Sequence, residues 1–83
     1  MTRTDAIHAA LQGLEPSHLQ VFDDSAAHHG HAGAASGKGH FRVEIASGRF
    51  DGLSLLACHR VVYDTLAALM ESDIHALQIQ IKR

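Results

Sequence analysis

An α+β fold, with helices covering one face of a mixed three-stranded sheet, is what this sequence of 83 residues predicts. Three observations carry that prediction. Apolar residues recur at helical spacing from Ile7 to Leu14 and again from Leu55 to Met70. They alternate at strand spacing around Phe41 to Ile45 and Leu77 to Ile81. A helical segment separates the last two strands, and such a crossover makes its strands parallel and right-handed. A chain of this size buries only about two-thirds of its unfolded surface, so residues 1–83 are read as one domain with one modest core.

The elements follow in order. Thr4 is placed to cap a first helix with Asp5 in its first turn, and Ile7, Ala10, Leu11 and Leu14 fall on one face. Gly13 weakens the last turn and Pro16 cannot continue it, so the helix stops near Leu14 or Glu15. His18 to Asp23 alternates at Leu19 and Val21 as a first strand. Phe41, Val43 and Ile45 alternate with Arg42, Glu44 and Ala46 as a half-buried second strand. Phe50, between the turn signals Ser47-Gly48-Arg49 and Asp51-Gly52, is a buried anchor. From Ser54 a helical stripe runs through Leu55, His59, Val62, Leu66 and Leu69, with a split expected near Leu56 to Cys58. Ser72-Asp73 ends it, His75 stands at the entrance to the last strand, and Leu77, Ile79 and Ile81 give that strand its inner face.

Composition weighs against several classes without excluding nucleic-acid binding. The net charge of −2 with neutral histidines offers no large basic footprint for nucleic acid. The single cysteine, Cys58, allows neither an internal disulfide nor a four-cysteine or Cys2His2 zinc framework. Met1 to Asp5 lacks the apolar core of a signal peptide, and no apolar run approaches the ~20 residues that span a bilayer. A cytoplasmic setting without a membrane partner is the expectation. Ser, His and Asp occur at no spacing tied to a nucleophile elbow or a metalloprotease helix, so the chain is not read as an enzyme.

The chemistry concentrates between the first two strands, where a flexible loop at residues 25–39, rich in glycine and histidine, leads into His40. Asp24 to His40 holds four of the eight histidines: His28, His29, His31 and His40. Imidazole is the commonest metal ligand and titrates near neutrality, and connections this long are usually functional or disordered. A solvated loop that binds divalent metals adventitiously is the plain alternative. His8 and His18 read as surface residues, and His40 as the start of the second strand. His75 has the parity of Leu77, Ile79 and Ile81, which also suits a half-buried structural histidine.

Asp24-Ser25 ahead of the loop, His40-Phe41-Arg42-Val43, Phe50-Asp51-Gly52, Cys58-His59-Arg60-Val61-Val62-Tyr63 and Ile74-His75-Ala76-Leu77 occur here in one order and spacing. With these motifs the chain resembles the BolA-like proteins nearly end to end. The resemblance implies an α-β-β-α-α-β fold similar to the type II KH domain. It also implies a partnership with monothiol glutaredoxins in iron-sulfur cluster handling. Members that share a 2Fe-2S cluster with a glutaredoxin contribute a His or Cys from the loop and a His from the start of the last strand. Carried over, these are His28, with His31 as the second loop candidate, and His75. The glutaredoxin would supply its active-site thiolate and a bound glutathione. Imidazole in place of thiolate on one iron raises the potential of such a cluster.

His59, on the apolar stripe, reads first as a core histidine and Cys58 as a small hydrophobe; both are minor ligand candidates. Cys58 departs from the family pattern, which usually carries Arg immediately before the His-Arg pair, and so weakens any basic contact surface. Two other functions are weighed. Some BolA-like proteins are described as transcriptional regulators, and a KH-like fold clamps nucleic acid with a G-x-x-G loop. Gly30-His31-Ala32-Gly33 matches that string between strands rather than between helices, and Lys38, Arg42, Arg49, Arg60, Lys82 and Arg83 are dispersed, so no DNA-contacting residues are assigned. A zinc module built on the same histidines would need further ligands. Homodimer formation is left open.

Overall fold

The computed structural model describes residues 1–25 and 37–83. Its elements are α1 (Arg3–Leu11), a 3-10 turn (Gln12–Leu14), β1 (Pro16–Asp23), β2 (Gly39–Ser47), a second 3-10 turn (Gly48–Phe50), α2 (Leu55–Thr65), α3 (Ala67–Ser72) and β3 (Ile74–Ile81). The order α-β-β-α-α-β and the α+β class are those expected. The sheet runs β1-β2-β3, with β1 antiparallel and β3 parallel to the central β2.

Period-2 alternation on β2 divides the sheet. Val43 and Ile45 face the helices with their partners Leu19 and Val21 on β1 and Ile79 and Ile81 on β3. Arg42, Glu44 and Ala46 face the open side with Phe22, Gln20 and His18 and with Gln78 and Gln80. Ile7, Leu11 and Leu14 cover one end of the inner face, and Cys58, Val62 and Leu66 on α2 and its cap cover the rest. Phe50 lies fully buried among them. The Ser47 hydroxyl donates to the Leu14 carbonyl at 2.5 Å and ties the end of β2 to the end of the first helical segment.

Four local expectations are corrected. The cap of α1 is Thr2, not Thr4: the Thr2 hydroxyl accepts from the Asp5 amide and the Asp5 carboxylate accepts from the Thr2 amide, a reciprocal box that needs three-residue spacing. β1 begins at Pro16, with a register irregularity before His18, because Glu15 adopts a left-handed conformation (φ 52°) that turns the chain into the sheet. Leu55 and Leu56 are exposed, and the buried line runs Cys58, Val62, Leu66, leaving His59 half-buried at its edge. The split between α2 and α3 falls at Leu66 rather than near Leu56 to Cys58. Ser54 caps α2 at the Ala57 amide, while the Thr65 hydroxyl donates to the Val61 carbonyl at 2.7 Å, a back-bond that bends helices where they end.

Phe50 is the largest fully buried side chain. Phe50→Ala is expected to destabilise the domain by about 3–5 kcal/mol, read as a lowered urea midpoint with an unchanged slope.

Candidate functional site

At the end of β1 the chain is tied to the start of β2 by backbone and side-chain bonds. The Ser25 amide donates to the Asp23 carboxylate (2.9 Å), the Asp24 amide to the His40 carbonyl (2.8 Å) and the His40 amide to the Ser25 hydroxyl (3.1 Å). On the other side, the Gly39 amide donates to the Asp73 carbonyl (2.9 Å). Gly39 has room for no side chain, since a Cβ there would stand 2.5 Å from the Phe41 ring and 2.9 Å from the Ser25 hydroxyl.

The same junction presents His75. Gly39 pairs with Ile74 and His40 with Ala76, so His75 is the extra residue of a bulge in β3. The bulge breaks the parity that sequence alternation assigns it: Ile74 is buried and His75 is exposed. The His40 ring, 7% exposed, lies with its centroid 5.2 Å from that of His75, the planes inclined at 54°. His40 thus stands in the second ring position of the site. Its shared open-face parity with Arg42 is readable in the sequence, but its neighbour across the strands depends on the bulge, which is not.

Beside the histidines is a concavity of about 160 Å³ lined by Asp24, His40, Phe41, Ala76, Leu77 and Gln78. A row of charges leads away from it across the open face. Arg42 lies 3.3 Å from Asp24 and 3.7 Å from Glu44, its guanidinium is 4.0 Å above the Phe22 ring, and Glu44 reaches His18 at 3.4 Å. Both cation–π contact and ion pairing occupy Arg42, so Arg42 itself is not free to meet a polyanion.

The other candidates fall elsewhere. His28 and His31 lie outside the described residues; Ser25, where the described chain leaves β1, is bonded to His40. Cys58 is fully buried, 4.0 Å from the Phe50 carbonyl and 3.7 Å from Nη1 of Arg83. Arg83 follows the far end of β3, so Cys58 and His75 occupy opposite ends of a strand roughly 25 Å long. α2 runs antiparallel to β3, because Tyr63 donates to the Leu77 carbonyl (3.1 Å) while the Cys58 end meets Arg83. His59 is therefore a turn farther from His75 than Tyr63 is. Among the described residues, no three His, Cys, Asp or Glu side chains converge as a metal would require.

An α-β-β-α-α-β domain with an exposed histidine in a bulge at the entrance to its last strand is the class that this geometry defines. The family model of BolA-like proteins matches residues 10–83, and the chain belongs to that family. BolA-like protein 1 of Mus musculus is 42% identical over 78 residues, covering 93% of this chain and 55% of the mouse protein. SufE-like protein 1, chloroplastic/mitochondrial, of Arabidopsis thaliana is 43% identical over 74 residues, covering 83% of this chain and 20% of that protein. The solved BolA domain of SufE1 from Arabidopsis thaliana matches with a TM-score of 0.85 and 38% identity, over 99% of this chain and 92% of that one. The chain thus spans about half the length of the mouse relative and a fifth of the plant one. No helix among the described residues is long and apolar enough to cross a membrane.

Two outcomes test the junction. Gly39→Ala should cost about 1–3 kcal/mol by forcing the Phe41 ring or Ser25 aside, measured by urea unfolding. The Ser25 hydroxyl and amide hold the Asp23 carboxyl below its ordinary value of 3.8. A depressed carboxyl contributes stability that is present above its unfolded pKa and lost as pH falls through the lower folded one. Ser25→Ala should therefore lower the thermal midpoint at neutral pH, and the gap between the two proteins should narrow as pH falls below about 4.

Proposed function

We propose that this chain is a BolA-like accessory protein that docks on a monothiol glutaredoxin and supplies histidine ligands to a bridging 2Fe-2S cluster, for cluster assembly, transfer or iron sensing. The observation that carries the reading is His75: an exposed imidazole in the bulge of β3, beside the point where Ser25 fastens the histidine-rich loop to His40. The loop ligand is His28, or His31 in its stead. An imidazole with open access suits iron, and two histidine ligands from one chain leave the rest of the cluster's coordination to a partner's thiolates. When bound, the cluster supplies one-electron and iron-sulfide transfer chemistry. The chain's own part is to hold an exposed imidazole at the foot of β3, beside the His40 ring.

Membership of the BolA-like family supports the same reading through the resemblance that assigns ligands to these two positions. Catalysis by the chain itself has no part in it, and the setting the reading assumes is cytoplasmic.

Anaerobic co-expression with a cognate monothiol glutaredoxin in the presence of glutathione tests the proposal by visible absorption and circular dichroism. The wild-type pair should carry a cluster whose spectrum differs from that of the glutaredoxin alone. His75 is exposed, so His75→Ala should keep the fold while altering that spectrum and hastening cluster loss. An unaltered spectrum and lifetime would remove His75 from the ligand set.

A further inference from the structure

The edge of β3 away from β2 is open among the described residues, since the sheet ends there. The Lys82 amide donates inward to the Ile45 carbonyl at 2.8 Å, which sets the phase of the strand. Even-numbered residues turn their backbone groups to β2, and Leu77, Ile79 and Ile81 turn theirs outward. One of these groups, the Leu77 carbonyl, accepts from Tyr63. The segment between Leu77 and Ile81 carries no charge, proline or further bulge to discourage pairing with another strand.

α2 forms a wall beside that edge. Leu56 and Tyr63, seven residues apart, share a helix face and are 64% and 40% exposed; Arg60 lies between them, also exposed. Because α2 is antiparallel to β3 and Tyr63 stands at Leu77, Arg60 and Leu56 follow in turn toward Ile81. Arginine and tyrosine side by side on a solvent-facing wall are residue types that interfaces favour, and the exposed Leu56 adds apolar area beside them.

Charge says what the ledge takes. Arg3, Arg42 and Arg49 each pair with a carboxylate, and Arg83 donates to the carbonyls of Leu53 and Phe50. The side chains of Arg60 and Lys82 make no ion pair among the described residues, and both flank the open edge. Arg60 stands on its helix side. Lys82 shares the parity of Gln78 and Gln80 on its open-face side.

We propose that the outer edge of β3 and the Leu56-Arg60-Tyr63 wall of α2 form a docking ledge for an extended, acidic strand of a partner protein. The strand would pair its backbone with Leu77, Ile79 and Ile81, and its side chains, which alternate between faces, would carry carboxylates to Arg60 on one face and Lys82 on the other. A second copy pairing β3 to β3 answers neither cation, because Ile74 to Arg83 contains no acidic residue.

The test uses a blocked peptide of alternating valine and glutamate, followed by amide hydrogen exchange and nuclear magnetic resonance titration of the full chain. Exchange should slow at Leu77, Ile79 and Ile81 and stay as it was at Gln80, whose amide faces β2. Arg60→Glu, an exposed change checked by circular dichroism, should weaken binding about tenfold or more. A peptide with lysine in place of glutamate should not bind. Absence of protection at the outward amides, or equal binding by Arg60→Glu, overturns the proposal. So does tighter binding of a duplex DNA through the same residues, or protection of these amides by self-association in the absence of peptide.

Discussion

Gly39 lets β2 hold the middle of the sheet. Without a side chain, its backbone passes within contact distance of the Phe41 ring and the Ser25 hydroxyl while its amide bonds the Asp73 carbonyl. From that point β2 can pair with β1 on one side and β3 on the other. Core and site both depend on it. Phe41, Val43 and Ile45 give the helices an apolar sheet to cover, and the two sides of the glycine bring the end of β1 and the beginning of β3 together. The bulge that exposes His75 is a consequence of the same closure, because Gly39 pairs with Ile74 and His40 with Ala76.

The two ends of β3 do different work. At its start the backbone is irregular and open, with His40 and Asp24 lining a concavity and His75 beside the His40 ring. At its finish Arg83 closes over the buried thiol of Cys58 and the carbonyls of the Phe50 turn. An Arg at position 58 would have to find room for a guanidinium in a position that is fully buried; here the smaller Cys packs, and an arginine from the end of the chain occupies the adjacent carbonyls. Cysteine at this position is thus explained by packing, as a small hydrophobe.

Most of the architecture was legible because it rests on periodicity. Alternation at Phe41, Val43 and Ile45 identified the central strand, the crossover fixed which pair is parallel, and Phe50 was readable as an anchor between two turns. Helix termini were less so. Thr2 and Thr4 are both able to cap, and only the reciprocal bond with Asp5 decides between them. On α2, apolar residues ring the first two turns, so sequence alone does not say that Cys58 rather than Leu55 faces inward. The site was legible in part: His75 stood out by its place before a strand, whereas a bulge leaves no mark in an alternating pattern, and with it the exposure of His75 and the approach of His40 stayed hidden. Partner-facing features escape periodicity altogether, since Arg60 reads as an ordinary polar position until the fold sets it beside the open edge of β3 without an ion pair among the described residues.

Direct ligation by nitrogen is the centre of the functional account, and pulsed electron paramagnetic resonance of the reduced cluster measures it. The complex would be formed from this chain labelled with ¹⁵N-histidine and an unlabelled monothiol glutaredoxin. Hyperfine coupling to ¹⁵N, diminished but not abolished in His75→Ala, is the result expected of two histidine ligands from one chain. A reduced cluster with no ¹⁵N coupling in the wild-type complex would contradict the account.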